Sequence, residues 1–167
     1  MKKVTTDQGS VSMYVYFCTE PEGKNFASDF KPELSPQQML ELGVFGGCYF
    51  DGVPAEFPKK WFHKAKLSKD SFPHKELNYF GVLASQPLSV WQEKGWIHND
   101  DPKGWFQWYC RYYRGRRHAD DARQIRRWRM MQRHLSQIAQ SCRPKDIVCR
   151  PRQRQAVLHW AYDSRKI

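Results

Sequence analysis

Residues 105–141 read WFQWYCRYYRGRRHADDARQIRRWRMMQRHLSQIAQS, and this stretch decides the fold. Aromatic residues recur at three- and four-residue steps in its first part. In its second part Ile125, Trp128, Leu135 and Ile138 recur at similar spacings. This periodicity predicts one helix over 105–115 and a longer one over 121–141, each with an apolar face turned toward a core.

The remaining elements are predicted from capping and turn residues. Asp100, Asp101 and Pro102 are expected to start the first of these two helices, and Asp120 and Asp121 to cap the second. The other predicted elements are a strand at Ser12–Cys18, a helix from Pro36 to about Leu42 capped by Ser35, short helices near Pro58 and over 86–94, and a last helix opened by Pro151.

The fold class predicted from these elements is mainly α. A chain of 167 residues is near the usual size of one domain, so we expect a single compact domain over 1–167, with about six helices and a short N-terminal strand or hairpin. Its near-neutral part is expected to cover 1–100 and its basic, Arg- and Trp-rich helical part 101–167. The glycine-rich segment LGVFGGCYFDG at 42–52 favours a packed turn over a ligand-contacting loop.

Cysteine usage and hydropathy set the expected compartment. Five scattered cysteines, an odd number, follow no secretory signal, which favours buried free thiols and an intracellular, cytoplasmic or nuclear, location. No apolar run approaches the 18 or so residues that a membrane span needs, so no membrane partner is expected. Neither a metal nor a cofactor is predicted, because Cys142, Cys149, His134 and His159 lack the spacing of structural zinc sites.

The positive charge lies at one end of the chain. Residues 1–100 hold 11 Lys, no Arg and 12 acidic residues, a net charge of −1. Residues 101–167 hold 3 Lys, 14 Arg and 5 Asp, a net charge of +12. Because a guanidinium group binds phosphate through two hydrogen bonds and stacks on aromatic rings, this choice of cation indicates an anionic partner. Internal pairing with the acids of the first hundred residues is the alternative.

Nucleic-acid binding is the leading functional hypothesis. An arginine-rich turn with tyrosines, followed by a basic helix face, combines phosphate neutralisation with aromatic platforms for bases. Three arginines lie at the predicted start of the last helix, where the helix dipole disfavours cations. They therefore also indicate a bound anion. The predicted contact residues are Arg111, Tyr112, Tyr113, Arg114, Arg116, Arg117, Arg123, Arg126, Arg127, Arg129, Arg133, Arg150, Arg152 and Arg154. DNA and RNA are not distinguished.

The alternative is a small enzyme that acts on a phosphorylated or carboxylated substrate, such as a nucleotide or nucleobase. The same arginines would clamp the anion, and the acid or base would be Asp120, Asp121, His118 or Glu41. A third hypothesis is a module that binds an acidic protein partner. A convex arginine stripe would favour nucleic acid, whereas arginines converging with a carboxylate in a concave aromatic pocket would favour catalysis.

Overall fold

A computed structural model describes residues 1–8 and 13–167. The N-terminal part is an antiparallel hairpin of β1 (Lys2–Asp7) and β2 (Met13–Cys18), in which Val4 pairs with Tyr16. The predicted strand is therefore half of a hairpin, and its predicted first residue, Ser12, lies outside the described residues. Tyr14, Tyr16 and Cys18 of β2 face inward, since successive side chains of a strand point to opposite faces. The Tyr16 hydroxyl donates to Glu56, and the Tyr14 hydroxyl accepts from Arg116.

The helices carry the rest of the regular structure. The described residues form α1 (Pro36–Leu42), α2 (Leu88–Glu93), α3 (Trp105–Tyr113), α4 (Asp121–Met130), α5 (Gln132–Ser141) and α6 (Pro151–Leu158). Because α4 and α5 follow each other without a loop, they can also be counted as one bent helix. Three short 3-10 helices lie at Phe45–Gly47, Lys59–Phe62 and Lys75–Leu77. The mainly helical expectation thus holds only in part, since turns and loops fill most of 19–104.

The predicted boundary of α1 is confirmed, and two others are corrected. Ser35 and Gln38 form a reciprocal capping box at the start of α1. Helix α3 begins at Trp105 and not at the predicted Asp100–Pro102. The predicted helix over 121–141 is interrupted at Met131, whose N–H bonds to the Trp128 carbonyl three residues back. That carbonyl also accepts the Tyr162 hydroxyl at 2.8 Å, a side-chain insertion of the kind that bends helices.

Helix α3 lies at the centre of the core. Phe30 is almost fully buried and contacts the rings of six aromatic residues, at centroid distances of 5.0–6.5 Å: Phe26, Trp105, Trp108, Tyr109, Tyr112 and Trp128. Trp128 also stacks on Tyr162, with centroids 4.8 Å apart and planes within 2°. Edge-to-face and stacked pairs of this kind stabilise a core beyond the burial of their area. The aromatic composition therefore reflects packing around one helix.

One cysteine pair departs from the free-thiol expectation. Cys142 and Cys149 form a disulfide that closes the loop between α5 and α6. Cys18 and Cys110 are buried free thiols as expected, and Cys48 is partly exposed. Because disulfides persist mainly in oxidising surroundings, this pair weakens the argument for a reducing compartment. No helix among the described residues is long and apolar enough to cross a membrane.

Candidate functional site: a basic, aromatic cleft

Two of the predicted contact arginines are held by buried carboxylates. Arg111 binds Glu56 through Nε and Nη2, both at 3.1 Å, and Asp101 at 2.9 Å. Arg116 binds the same Asp101 through Nη1 at 2.9 Å and Nη2 at 2.6 Å. Burial alone would lower the pKa of Arg111, but the two carboxylates raise it above its ordinary value. Both guanidinium groups face the interior and tie the hairpin to α3, since Tyr16 also donates to Glu56.

Arg154, at the start of α6, also faces inward. It is fully buried and donates to the backbone oxygens of Cys149, Ser164 and Ile167 at 2.5–2.7 Å. Burial lowers its pKa, and the charge of Asp146 offsets only part of this effect. Arg154 therefore organises the C-terminal segment in this structure.

The turn after α3 is likewise packed against the protein. Arg114 donates to the Glu56 carbonyl, and the Arg117 guanidinium stacks on the Tyr112 ring at 3.9 Å. Tyr112 is buried, and Tyr113 is half-buried against Trp61. In this conformation the two tyrosines are occupied by internal contacts.

The exposed arginines of the predicted set lie on α4, on α5 and at the start of α6. They are Arg126, Arg129, Arg133, Arg150 and Arg152. Arg129 pairs with Asp29 at 2.6 Å, and Arg150 donates to Gln153. Arg123 is held by Asp120 and by the Trp96 carbonyl. Internal pairing thus accounts for a large share of the predicted arginines, and a smaller set faces solvent.

The four acid–base candidates do not converge. Asp121 accepts the Trp108 indole N–H and the His118 backbone N–H, both at 2.8 Å. Asp120 binds Arg123 and makes no side-chain cap, so the predicted capping by Asp120 is not formed. Glu41 lies apart on α1, where it accepts from Gln37.

His118 instead belongs to a cluster with His98 and Asp100, whose potential ligand atoms lie within 4.8 Å of one another. Both histidine Nδ1 atoms accept a backbone N–H, from Asp100 and Asp120 respectively. Their Nε2 atoms must then carry the protons when the rings are neutral, and His118 Nε2 lies 2.7 Å from Asp100. This arrangement favours a hydrogen bond from His118 Nε2 to Asp100 over a metal ion held by the three residues.

A concave feature lies between the segment 84–97, α3, the α4–α5 junction and α6. We call it the cleft. Its larger lobe has a volume of about 540 Å³, and its smaller lobe about 420 Å³. Both lobes share the residues Phe45, Tyr49, Ala84, Ser85, Gln86, Trp91 and His159. The larger lobe is walled by Trp91, Trp96, Trp105 and Trp160, and no aspartate or glutamate of the described residues lines it.

Three arginines line this larger lobe: Arg127, Arg133 and Arg152. His134 lines it as well. Arg152 of α6 and His159, the residue that follows α6, lie on one side, because residues seven apart lie on the same side of a helix. Arg133 and Arg152 are exposed, so they form a basic rim. The cleft therefore combines aromatic walls with positive charge.

Arg127 is the most informative of these cations. Its guanidinium lies over the rings of both Trp96 and Trp160, at 5.7 and 5.3 Å from their centroids. Its hydrogen bonds, to the Trp96 carbonyl and to Gln124, both leave from Nη1, and no described carboxylate forms an ion pair with it. Burial, and then the charge of Arg123, lower the pKa of Arg127 to about 10. A partly buried cation without a carboxylate is a favourable place for an external anion.

A serine–histidine pair lies where the lobes meet. Ser85 Oγ is 2.8 Å from His159 Nδ1. His159 is buried and stacks on Phe45 with ring centroids 4.2 Å apart. Burial lowers the pKa of His159 to about 3, so the ring is neutral at physiological pH.

The sequence reasoning placed Arg127, Arg133 and Arg152 among the contact residues but missed the cleft itself. Trp91, Trp96, Ser85 and His159 come from segments that no motif connects, so their proximity follows only from the fold. No protein-family model, curated protein or solved structure matches this chain. We therefore infer the function from the chemistry of the cleft.

Proposed function

We propose that this protein binds single-stranded nucleic acid, holding one base in the cleft and the neighbouring phosphates on its basic rim. The observation that carries the proposal is the position of Arg127 over two tryptophan rings, with no carboxylate of the described residues in an ion pair with it. Stacking on aromatic rings and phosphate neutralisation are the two contributions that single-strand binding combines. An intracellular location, cytoplasmic or nuclear, belongs to this proposal.

The shape of the cleft favours an unpaired base over a duplex. A flat ring can enter a lobe of about 540 Å³ walled by tryptophans, whereas a base inside a duplex is stacked and paired on both sides. The exposed Arg133 and Arg152 stand where a strand leaving the lobe would run. The exposed arginines of α4, Arg126 and Arg129, extend the positive surface beyond the cleft.

Binding is favoured over catalysis by the groups that line the cleft. A general acid or base needs a titratable side chain with a suitable pKa. Within the described residues the larger lobe holds no carboxylate, and burial lowers the pKa of its two histidines, His134 and His159. The candidates Asp120, Asp121 and His118 make hydrogen bonds elsewhere in the molecule. The smaller lobe does contain Asp51, but that residue is exposed and lies near Lys103.

The proposal predicts that Arg133→Ala/Arg152→Ala weakens binding of a labelled oligo(dT) of about ten nucleotides. Losing two charge-assisted contacts of about 1.5 kcal/mol each predicts roughly a hundredfold loss of affinity. The slope of log affinity against log salt should fall by about 1.4, because about 0.7 belongs to each phosphate of a single strand. Fluorescence anisotropy over a salt series measures both quantities.

The matched control is Arg126→Ala/Arg143→Ala, which removes the same charge from exposed positions that do not line the cleft. We expect this control to weaken binding by less than about threefold at 0.15 M salt, where distant surface charges are screened. Equal losses in the two variants would argue for a diffuse basic surface. Failure of wild type to bind any oligonucleotide at low salt would refute the proposed function.

A further inference from the structure

Both histidines of the larger lobe are fixed as hydrogen-bond donors by glutamines of α6. Gln153 Oε1 accepts from Arg150, so the amide orientation is set and Nε2 is the donor. That Nε2 lies 3.0 Å from His134 Nδ1, and a neutral ring must then carry its proton on Nε2. Burial and the charge of Arg133 lower the pKa of His134, which keeps the ring neutral.

His159 is fixed in the opposite tautomer. The Oε1 of Gln155 accepts the Phe80 N–H at 2.9 Å, so the Nε2 of Gln155 is the donor that faces His159 Nε2 at 2.9 Å. The Phe45 N–H also points at His159 Nε2, at 3.1 Å. Two donors on one nitrogen require that this nitrogen carry the lone pair. The ring proton is therefore on Nδ1, and it donates to Ser85 Oγ.

This tautomer decides what Ser85 can do. A histidine that donates to a serine oxygen cannot take the serine proton, so the pair does not act as a nucleophile and base. The hydroxyl accepts from His159 and keeps its own proton for another acceptor. Ser85 is exposed and lines both lobes, so that acceptor can belong to a ligand.

Resting on the proposed function, we propose that Ser85 is a specificity-determining residue of the cleft, and that it selects a base whose edge carries carbonyl acceptors. The charged groups and histidines of the larger lobe, Arg127, Arg133, His134 and Arg152, are donors as well. Uracil and thymine present two carbonyl oxygens around a single ring N–H, whereas adenine, cytosine and guanine each carry an amino donor. The base favoured by the cleft is therefore uracil or thymine.

The hydrogen-bond assignment can be tested without any ligand. Long-range proton–nitrogen correlation NMR on the ¹⁵N-labelled protein reports which ring nitrogen of each histidine carries the proton. We expect the proton on Nδ1 of His159 and on Nε2 of His134, while the exposed His63 serves as the control ring that exchanges between tautomers. A proton on Nε2 of His159 would overturn the inference, whatever the protein binds.

The specificity is tested by titrating wild type and Ser85→Ala with oligo(dT), oligo(dA) and oligo(dC) of equal length. Wild type should prefer oligo(dT) by about fivefold to tenfold, which is the value of one net hydrogen bond. Ser85→Ala should lose that preference, Ser85→Thr should retain it, and Ser89→Ala, a matched change at an exposed serine outside the cleft, should leave it unchanged.

The outcomes separate the two proposals. If wild type binds all three oligonucleotides equally, or prefers oligo(dA) or oligo(dC), the role of Ser85 is refuted while single-strand binding stands. If Ser85→Ala keeps the thymine preference, the selecting group lies elsewhere and the inference is wrong. If no oligonucleotide binds, the proposed function fails together with the specificity proposal, even where NMR finds the expected tautomers.

Discussion

Replacing Asp101 by Asn is expected to lower the free energy of unfolding by about 3–5 kcal/mol. Asp101 is fully buried and binds two buried cations, Arg111 at 2.9 Å and Arg116 at 2.6 and 2.9 Å. The substitution keeps the size of the side chain and removes its charge, so Arg116 loses its carboxylate and Arg111 keeps only Glu56. Urea denaturation followed by tryptophan fluorescence measures the change.

The control is Asp51→Asn, an exposed carboxylate 3.6 Å from Lys103. Exposed ion pairs contribute little, so we expect a change below about 1 kcal/mol. If Asp101→Asn were as mild as this control, the buried network would not hold the hairpin against α3, and the inward-facing arginines would need another explanation.

Replacing Gly115 by Ala is expected to destabilise the protein by about 3 kcal/mol. Gly115 follows α3 with φ +109°, in the region that side-chain-bearing residues rarely adopt. A Cβ there would lie 1.9 Å from the Glu20 carbonyl oxygen, a backbone atom that cannot move independently. The carbonyl of Gly115 also accepts the N–H groups of Thr19 and Glu20, so displacement would break the link between α3 and the chain after β2.

Gly52→Ala separates backbone strain from the clash. Gly52 also has a positive φ, +70°, but a Cβ there meets nothing within 4 Å. This variant should lose only about 1 kcal/mol, the lower end of the strain that a left-handed residue brings. Similar thermal denaturation midpoints for the two variants would mean that the contact with Glu20 relaxes without loss.

Local sequence signals predicted the helical part of the fold better than the rest. Ser35 and Gln38 predicted the start of α1 because a capping box involves residues only three apart. The interruption at Met131 could not be foreseen, since it depends on Tyr162, which reaches the Trp128 carbonyl from 34 residues away. Likewise the sequence predicted that Asp101 starts a helix, and its contacts with Arg111 and Arg116 form only in the folded chain.

The positive charge of the candidate site could be predicted from the sequence, but its position in the fold could not. Arginine content correctly indicated strong positive charge in 101–167, but the sequence could not tell which guanidinium groups would be neutralised. Arg111 and Arg127 belong to the same arginine-rich stretch. Arg111 binds two buried carboxylates, whereas Arg127 lies over two tryptophan rings. That difference depends on long-range contacts with Glu56 and Trp96. The serine–histidine pair joins residues 74 positions apart and left no sequence signal.

Photo-crosslinking tests most directly whether the cleft holds a base. An oligo(dT) carrying one 5-iodouracil, which bonds to a stacked aromatic side chain under ultraviolet light, would be irradiated with the protein and the modified peptides identified by mass spectrometry. The account predicts crosslinks on Trp91, Trp96 or Trp160, reduced in Arg133→Ala/Arg152→Ala and retained in Arg126→Ala/Arg143→Ala. Crosslinks confined to the hairpin tyrosines or to the outer face of α4 and α5 would contradict it.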